Sequence, residues 1–125
     1  MSVAILNHGD YLIASIRSDL SDGQLLALRE DLAERVGDER IRGIIIDVAA
    51  LDVIDSFVAR SLRSIVEAAA LRGAATVIVG IQPDVAIAMV QFNLNLESLR
   101  AVLDLDEAFA MLDRLTDPED DPDAE

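Results

Sequence analysis

Residues Gly43 to Val48 read Gly-Ile-Ile-Ile-Asp-Val, with β-branched apolar side chains at four of six positions and no alternation between apolar and polar. A strand with one face in water alternates; a strand covered on both faces does not. This run therefore demands packing above and below the sheet. Ala75 to Ile81 makes the same demand. Between them, Val58, Leu62, Ile65, Val66 and Ala69 recur at helical spacing up to Gly73, which places Arg60, Arg63 and Glu67 outward. Two buried strands joined by an amphipathic helix form a βαβ unit, whose strands run parallel.

The flanking segments extend this pattern. Val3 to Leu6 and Tyr11 to Ile16 are short apolar runs around Asn7-His8-Gly9-Asp10, which predicts an opening hairpin. Ser21 with Gln24 forms a capping box before Leu25, Leu28, Leu32 and Val36, a helix running to Gly37. Pro83 suits the first position of a third helix reaching about Asn93. Ala101 to Leu103 reads as a final short strand. Asp104 with Glu107 caps a last helix whose Leu105, Ala108, Phe109, Leu112 and Leu115 are expected to face inward. The order is β-β-α-β-α-β-α-β-α: an α/β fold with a mixed, mostly parallel sheet and about four helices. Residues 1–115 form the expected domain. Thr116 to Glu125, with six acids and two prolines, is expected to be a flexible acidic tail.

Composition narrows function by exclusion. The chain has 125 residues, 24 acids and 10 basic residues, a net charge of −14. Such a surface is ill-suited to nucleic acid or anionic membranes, which are bound by clustered Lys and Arg. All ten cations are Arg. Without Lys there is no Schiff base and no phosphate-loop lysine, and without Cys there is no disulfide, thiolate nucleophile or Cys-bound metal. No basic flank precedes an apolar N-terminal run, and no stretch approaches the ~20 apolar residues of a membrane span. A soluble cytoplasmic protein is expected, with no cofactor and no metal.

Few residues are left to carry chemistry. His8, the sole histidine, falls in the expected hairpin turn and reads as a solvated turn residue. Asp47 ends the third strand, where a receiver domain keeps its phosphoacceptor. Receivers also use an acidic pair and a late lysine, so Asp47 reads as a structural strand-end acid. The segment Leu51 to Arg60 is richer. Ser56 stands where a loop becomes the second helix, as a helix N-cap would. Asp52 and Asp55 set carboxylates beside its hydroxyl, and Phe57 follows in an aromatic-poor chain. An acid–base enzyme using Asp47, Asp52 or Asp55 is a competing reading, weakened by the lack of a complementary His, Cys or Lys.

The element order, with Ile54-Asp55-Ser56 at the start of the second helix, resembles the STAS fold of bacterial anti-sigma-factor antagonists. Asp52-Val53-Ile54-Asp55-Ser56-Phe57-Val58-Ala59-Arg60, Gly80-Ile81-Gln82-Pro83-Asp84-Val85-Ala86 and Leu103-Asp104-Leu105 resemble the stressosome scaffold members of that family. The resemblance spans the chain to about Leu115. Simple antagonists follow Asp-Ser with a second hydroxyl residue and Gly; Phe57 and Val58 stand in those places here, which favours the scaffold type.

This resemblance implies that Ser56 is phosphorylated by a serine/threonine kinase of the RsbT type. It implies that the unmodified protein, co-assembled with STAS-containing sensors of the RsbR type and self-associating as a dimer, holds that kinase. Phosphorylation would release the kinase and a serine phosphatase would reset the state, with no catalysis by this chain. Asp52, Asp55, Phe57 and Arg60 would form the partner-binding surface. The alternative is a free anti-sigma-factor antagonist.

Overall fold

The computed structural model describes residues 5–95 and 99–116. Among the described residues these elements follow one another: β1 (Ile5–His8), β2 (Tyr11–Ser15), α1 (Asp22–Asp38), β3 (Gly43–Asp47), α2 (Ser56–Leu71), β4 (Ala75–Val79), α3 (Pro83–Gln91), β5 (Ala101–Val102) and α4 (Leu105–Thr116). The sheet order is β1-β2-β3-β4-β5. β1 pairs antiparallel with β2, and every later pair is parallel.

This strand order determines where the helices lie. β3, β4 and β5 each pair parallel with the preceding strand, and because parallel crossovers share one hand as a rule, the connecting helices belong on one face, where residues of α1, α2 and α3 form a single core cluster. Leu12, Ala14, Ile16, Ile44, Ile46 and Ile78 point into that layer with Leu28, Leu32, Leu62, Ile65, Val85 and Met89. The alternate positions Tyr11, Ile45, Val77 and Val79 point the other way, where α4 supplies Ala108 and Leu112. Two-faced burial is why β3 and β4 lack polar alternation.

Local signals set most boundaries. Ser21 Oγ accepts from Gln24 N at 3.1 Å, and Gln24 Oε1 accepts from Ser21 N at 2.9 Å, completing the capping box. Pro83 occupies the first turn of α3. Asp104 Oδ1 caps α4 by accepting from Glu107 N at 2.9 Å.

Several details depart from the sequence reading. β1 continues through His8, leaving only Gly9 and Asp10 as the hairpin loop, with Gly9 at φ 60°. His8 is exposed, but it is not simply solvated: its ring stacks on Phe109 with centroids 4.4 Å apart. Leu105 and Leu115 are 38% and 44% exposed rather than inward, since the buried stripe of α4 is only Ala108 and Leu112 wide, with Phe109 beside it. α4 also includes Thr116, whose carbonyl accepts from Arg42 Nη1 at 3.1 Å. The remainder of the expected tail, and Val3 and Ala4 of the expected first strand, lie outside the described residues. Among the described residues no helix is long and apolar enough to cross a membrane.

Candidate functional site

The site is built on the loop from β3 to α2, at the C-terminal edge of the parallel strands, where open α/β sheets keep their functional groups. Val48 N still reaches Val79 O at 3.0 Å, and Asp47 Oδ1 accepts from Ala49 N at 2.9 Å to turn the chain. Asp47 is therefore engaged in the turn, as its structural reading required. Leu51 and Ile54 then dip into the core, 3% and 9% exposed, while Asp52 and Val53 between them stand in solvent.

The loop is held from below. Gln82 Nε2 donates to Ala49 O at 2.9 Å. Gly80 has φ +80°, and a Cβ there would lie 2.8 Å from Ala49 Cβ and 3.2 Å from Ala49 Cα. Only glycine combines that conformation with so close an approach. Gly80-Ile81-Gln82-Pro83 thus contacts the loop preceding Ser56, so the two segments that carried the resemblance are neighbours in space. Gln82's part was illegible in sequence, because the bond spans two loops.

Ser56 is not the helix cap. The N-cap is Asp55, with extended backbone (φ −104°, ψ 179°), and its Oδ1 accepts from Val58 N at 2.9 Å. Ser56 is the first helical residue; it is exposed, and among the described residues nothing hydrogen-bonds its hydroxyl. Adjacent Asp and Ser are both preferred caps, so only the phase of the helix separates them. The buried Ile54 immediately before Asp55 sets that phase.

The other expected site residues separate into two groups. Asp52 and Arg60 are exposed and have no hydrogen-bond or ion-pair partner among the described residues. Phe57 is half-buried and packs against the core, so only part of its ring belongs to the surface. Arg63 does not simply face outward: Nη2 donates to Phe92 O and Asn93 O at 2.8 and 3.2 Å, tying α2 to the C-terminal end of α3. Ser61, the next hydroxyl along α2, is 1% exposed.

A cleft of about 220 Å³ adjoins the cap, between the β2–α1 and β3–α2 loops. Ile16, Leu25, Leu51 and Ile54 supply apolar lining, while Arg17 and Asp55 contribute charge. Among the described residues, no group of three or more acidic or histidine side chains is placed to hold a metal ion.

Comparison with known proteins places this arrangement in a family. The STAS domain matches residues 2–108. A serine-to-glutamate variant of RsbS from Moorella thermoacetica superposes with a TM-score of 0.84 at 33% identity, over 90% of this chain and 96% of that one. A chain from a structure of the stressosome, a signal integration and transduction hub, gives 0.81 at 33% identity over 91% and 99%. The RsbT co-antagonist protein RsbRC of Bacillus subtilis (strain 168) is 31% identical over 103 residues, 81% of this chain and 36% of that protein. The chain thus spans little more than a third of that relative. The unphosphorylated anti-sigma factor antagonist SpoIIAA, at 12% identity and a TM-score of 0.68, shares the fold over 93% of this chain and 99% of its own. With the matched domain covering most of its length and the sheet order and helix placement described above, the chain belongs to the STAS-domain family.

Proposed function

We propose that this chain is a scaffold and phosphoswitch of an RsbS-like kind within a stressosome-type assembly. Unmodified, it holds a serine/threonine kinase of the RsbT type together with sensors of the RsbR type. Phosphorylated on Ser56, it lets the kinase go, and a serine phosphatase restores the first state. The switch lies in binding, not catalysis. The observation that carries this reading is the exposed Ser56 hydroxyl, unbonded among the described residues, beside a cap supplied by Asp55. Transfer of the γ-phosphoryl of ATP to Ser56 Oγ, releasing ADP and a proton, therefore leaves the helix cap intact. Similarity to RsbS over nearly the full length of both chains supports the scaffold reading over that of a free antagonist.

The binding surface comprises Asp52, Asp55, Phe57 and Arg60, and the protein self-associates within its assembly. A phosphate adds about −1.5 to −2 charges. Burying it beside Asp52 and Asp55 without new cations costs several kcal/mol, and every ~1.4 kcal/mol weakens binding tenfold.

Incubation with the kinase and ATP, followed by peptide mapping, should find one phosphate, on Ser56; labelling of another hydroxyl instead would end this reading. In pull-downs, Ser56→Ala should retain the kinase and Ser56→Asp should bind it more weakly. Equal binding by both variants and wild type would remove the switch. Sedimentation with a sensor homologue should give an assembly far larger than a dimer, which a free antagonist would not form.

A further inference from the structure

Arg60 stands one helical turn after Ser56. Residues four apart share a helix face with Cβ atoms ~5–6 Å apart, and helical side chains lean back toward the N-terminus. An arginine at this spacing therefore extends over the preceding turn, toward the side chain at Ser56. Both residues are exposed. Arg60 has no hydrogen-bond or ion-pair partner among the described residues.

The neighbouring charges are already committed or lie elsewhere. Asp55 on the same turn holds Val58 N through its Oδ1 at 2.9 Å. Arg63, the next arginine along the helix, is bonded to the Phe92 and Asn93 carbonyls. Arg17, from the β2–α1 loop, lines the cleft beside Asp55 and pairs with Asp19 at 3.4 Å. Asp52 and Asp55 would repel a phosphate. Arg60 is the cation whose register, freedom and direction fit one at Ser56.

We propose that Arg60 is the internal counter-ion of the phosphorylated state: phosphoserine at position 56 draws the Arg60 guanidinium onto itself. This rests on Ser56 being the modified residue and adds a second element to the switch. Phosphorylation places negative charge on the binding face and also withdraws from it a cation that the unmodified protein presents. Two contacts with the partner change in one event.

The test uses the full chain with phosphoserine genetically encoded at position 56, titrated by phosphorus NMR. The second ionisation of phosphoserine lies near pH ~6. An adjacent guanidinium favours the dianion, so Arg60→Gln should raise the midpoint by about 0.3 to 0.6 pH unit, a two- to fourfold weaker acid. Arg60→Lys, which keeps the charge, should hold at least half of the difference, and Arg17→Gln should leave the midpoint in place. A midpoint unmoved by Arg60→Gln, or moved as far by Arg17→Gln, would overturn the assignment. Because the phosphate is encoded rather than transferred, failure of a kinase to label Ser56 would appear in the mapping experiment and not in this titration.

Discussion

The two ends of the parallel sheet treat their polar side chains in opposite ways. At the N-terminal edge of the strands, Tyr11 Oη donates to Asp113 Oδ1 at 2.6 Å and lies 3.2 Å from Thr116 Oγ1, which in turn donates to Leu112 O at 2.7 Å. Arg42 joins Thr116 O to Asp10, and His8 lies on Phe109. That network fastens α4 to the hairpin. At the C-terminal edge the backbone is just as well fixed, by Asp47, Asp55 and Gln82, yet Ser56, Asp52 and Arg60 have no partner among the described residues and Val53 is 77% exposed. A fixed backbone carrying uncommitted side chains suits the recognition role proposed above, since little backbone ordering remains to be done when a partner arrives.

That contrast can be broken most severely at Gly80. Gly80→Ala forces a left-handed backbone on a residue with a Cβ and drives it against Ala49, so a loss of ~2 to 4 kcal/mol is expected. Thermal melts should show a drop on the order of 10 °C. An unchanged melting temperature would mean that the loop is not held as described.

At the opposite end, Tyr11→Phe deletes the hydroxyl shared by Asp113 and Thr116 and should cost about 1 to 2 kcal/mol in denaturant unfolding. Burial first, and then the hydrogen bond to Asp113, hold the Tyr11 phenol above its ordinary value of 10.0. The folded state therefore favours the neutral phenol. Its contribution is complete below pH 10.0 and disappears as pH rises through the higher folded-state value. As pH rises from 10.0 toward the folded-state value, wild type should lose stability more steeply than Tyr11→Phe; parallel curves would show that Tyr11 carries no such linkage.

The sharpest comparison lies within one dipeptide. Asp55→Ala removes the cap of α2 and should cost about 1 kcal/mol. Ser56→Ala removes an unbonded surface hydroxyl at a helical position and should stay within about 0.5 kcal/mol of wild type. A larger loss at Ser56 than at Asp55 would reverse the cap assignment.

Residue periodicity carried the fold a long way. β3 and β4 were legible because Ile44-Ile45-Ile46 and Val77-Ile78-Val79 offer no face to water, and α1 because Ser21 and Gln24 identify each other across three residues. The site was legible as a place but not in its details. Asp55 and Ser56 compete for one cap on equal chemical terms, and the burial of Ile54, a tertiary fact, decides between them. Arg63 looked outward because its partners, the carbonyls of Phe92 and Asn93, are ~30 residues away and come within reach only when α3 packs. His8 was misread for the same reason: Phe109 is brought to it by the last helix. Local patterns identify elements, whereas contacts between element ends depend on how the elements pack.

The strictly sequential sheet has a consequence for biosynthesis. Each strand from β2 onward pairs with the one made just before it, so the sheet and its three-helix face can assemble in the order of translation. The reverse face follows a different schedule. Ile45, Val77 and Val79 stay uncovered until α4, which follows all five described strands, has been made. During that interval the growing chain presents a nearly finished sheet with one apolar side bare, the kind of species on which chaperones act. The residues that close this interval, Ala108 and Leu112, come after every strand of the sheet in chain order, so the sheet stays sticky on that side until α4 packs against it.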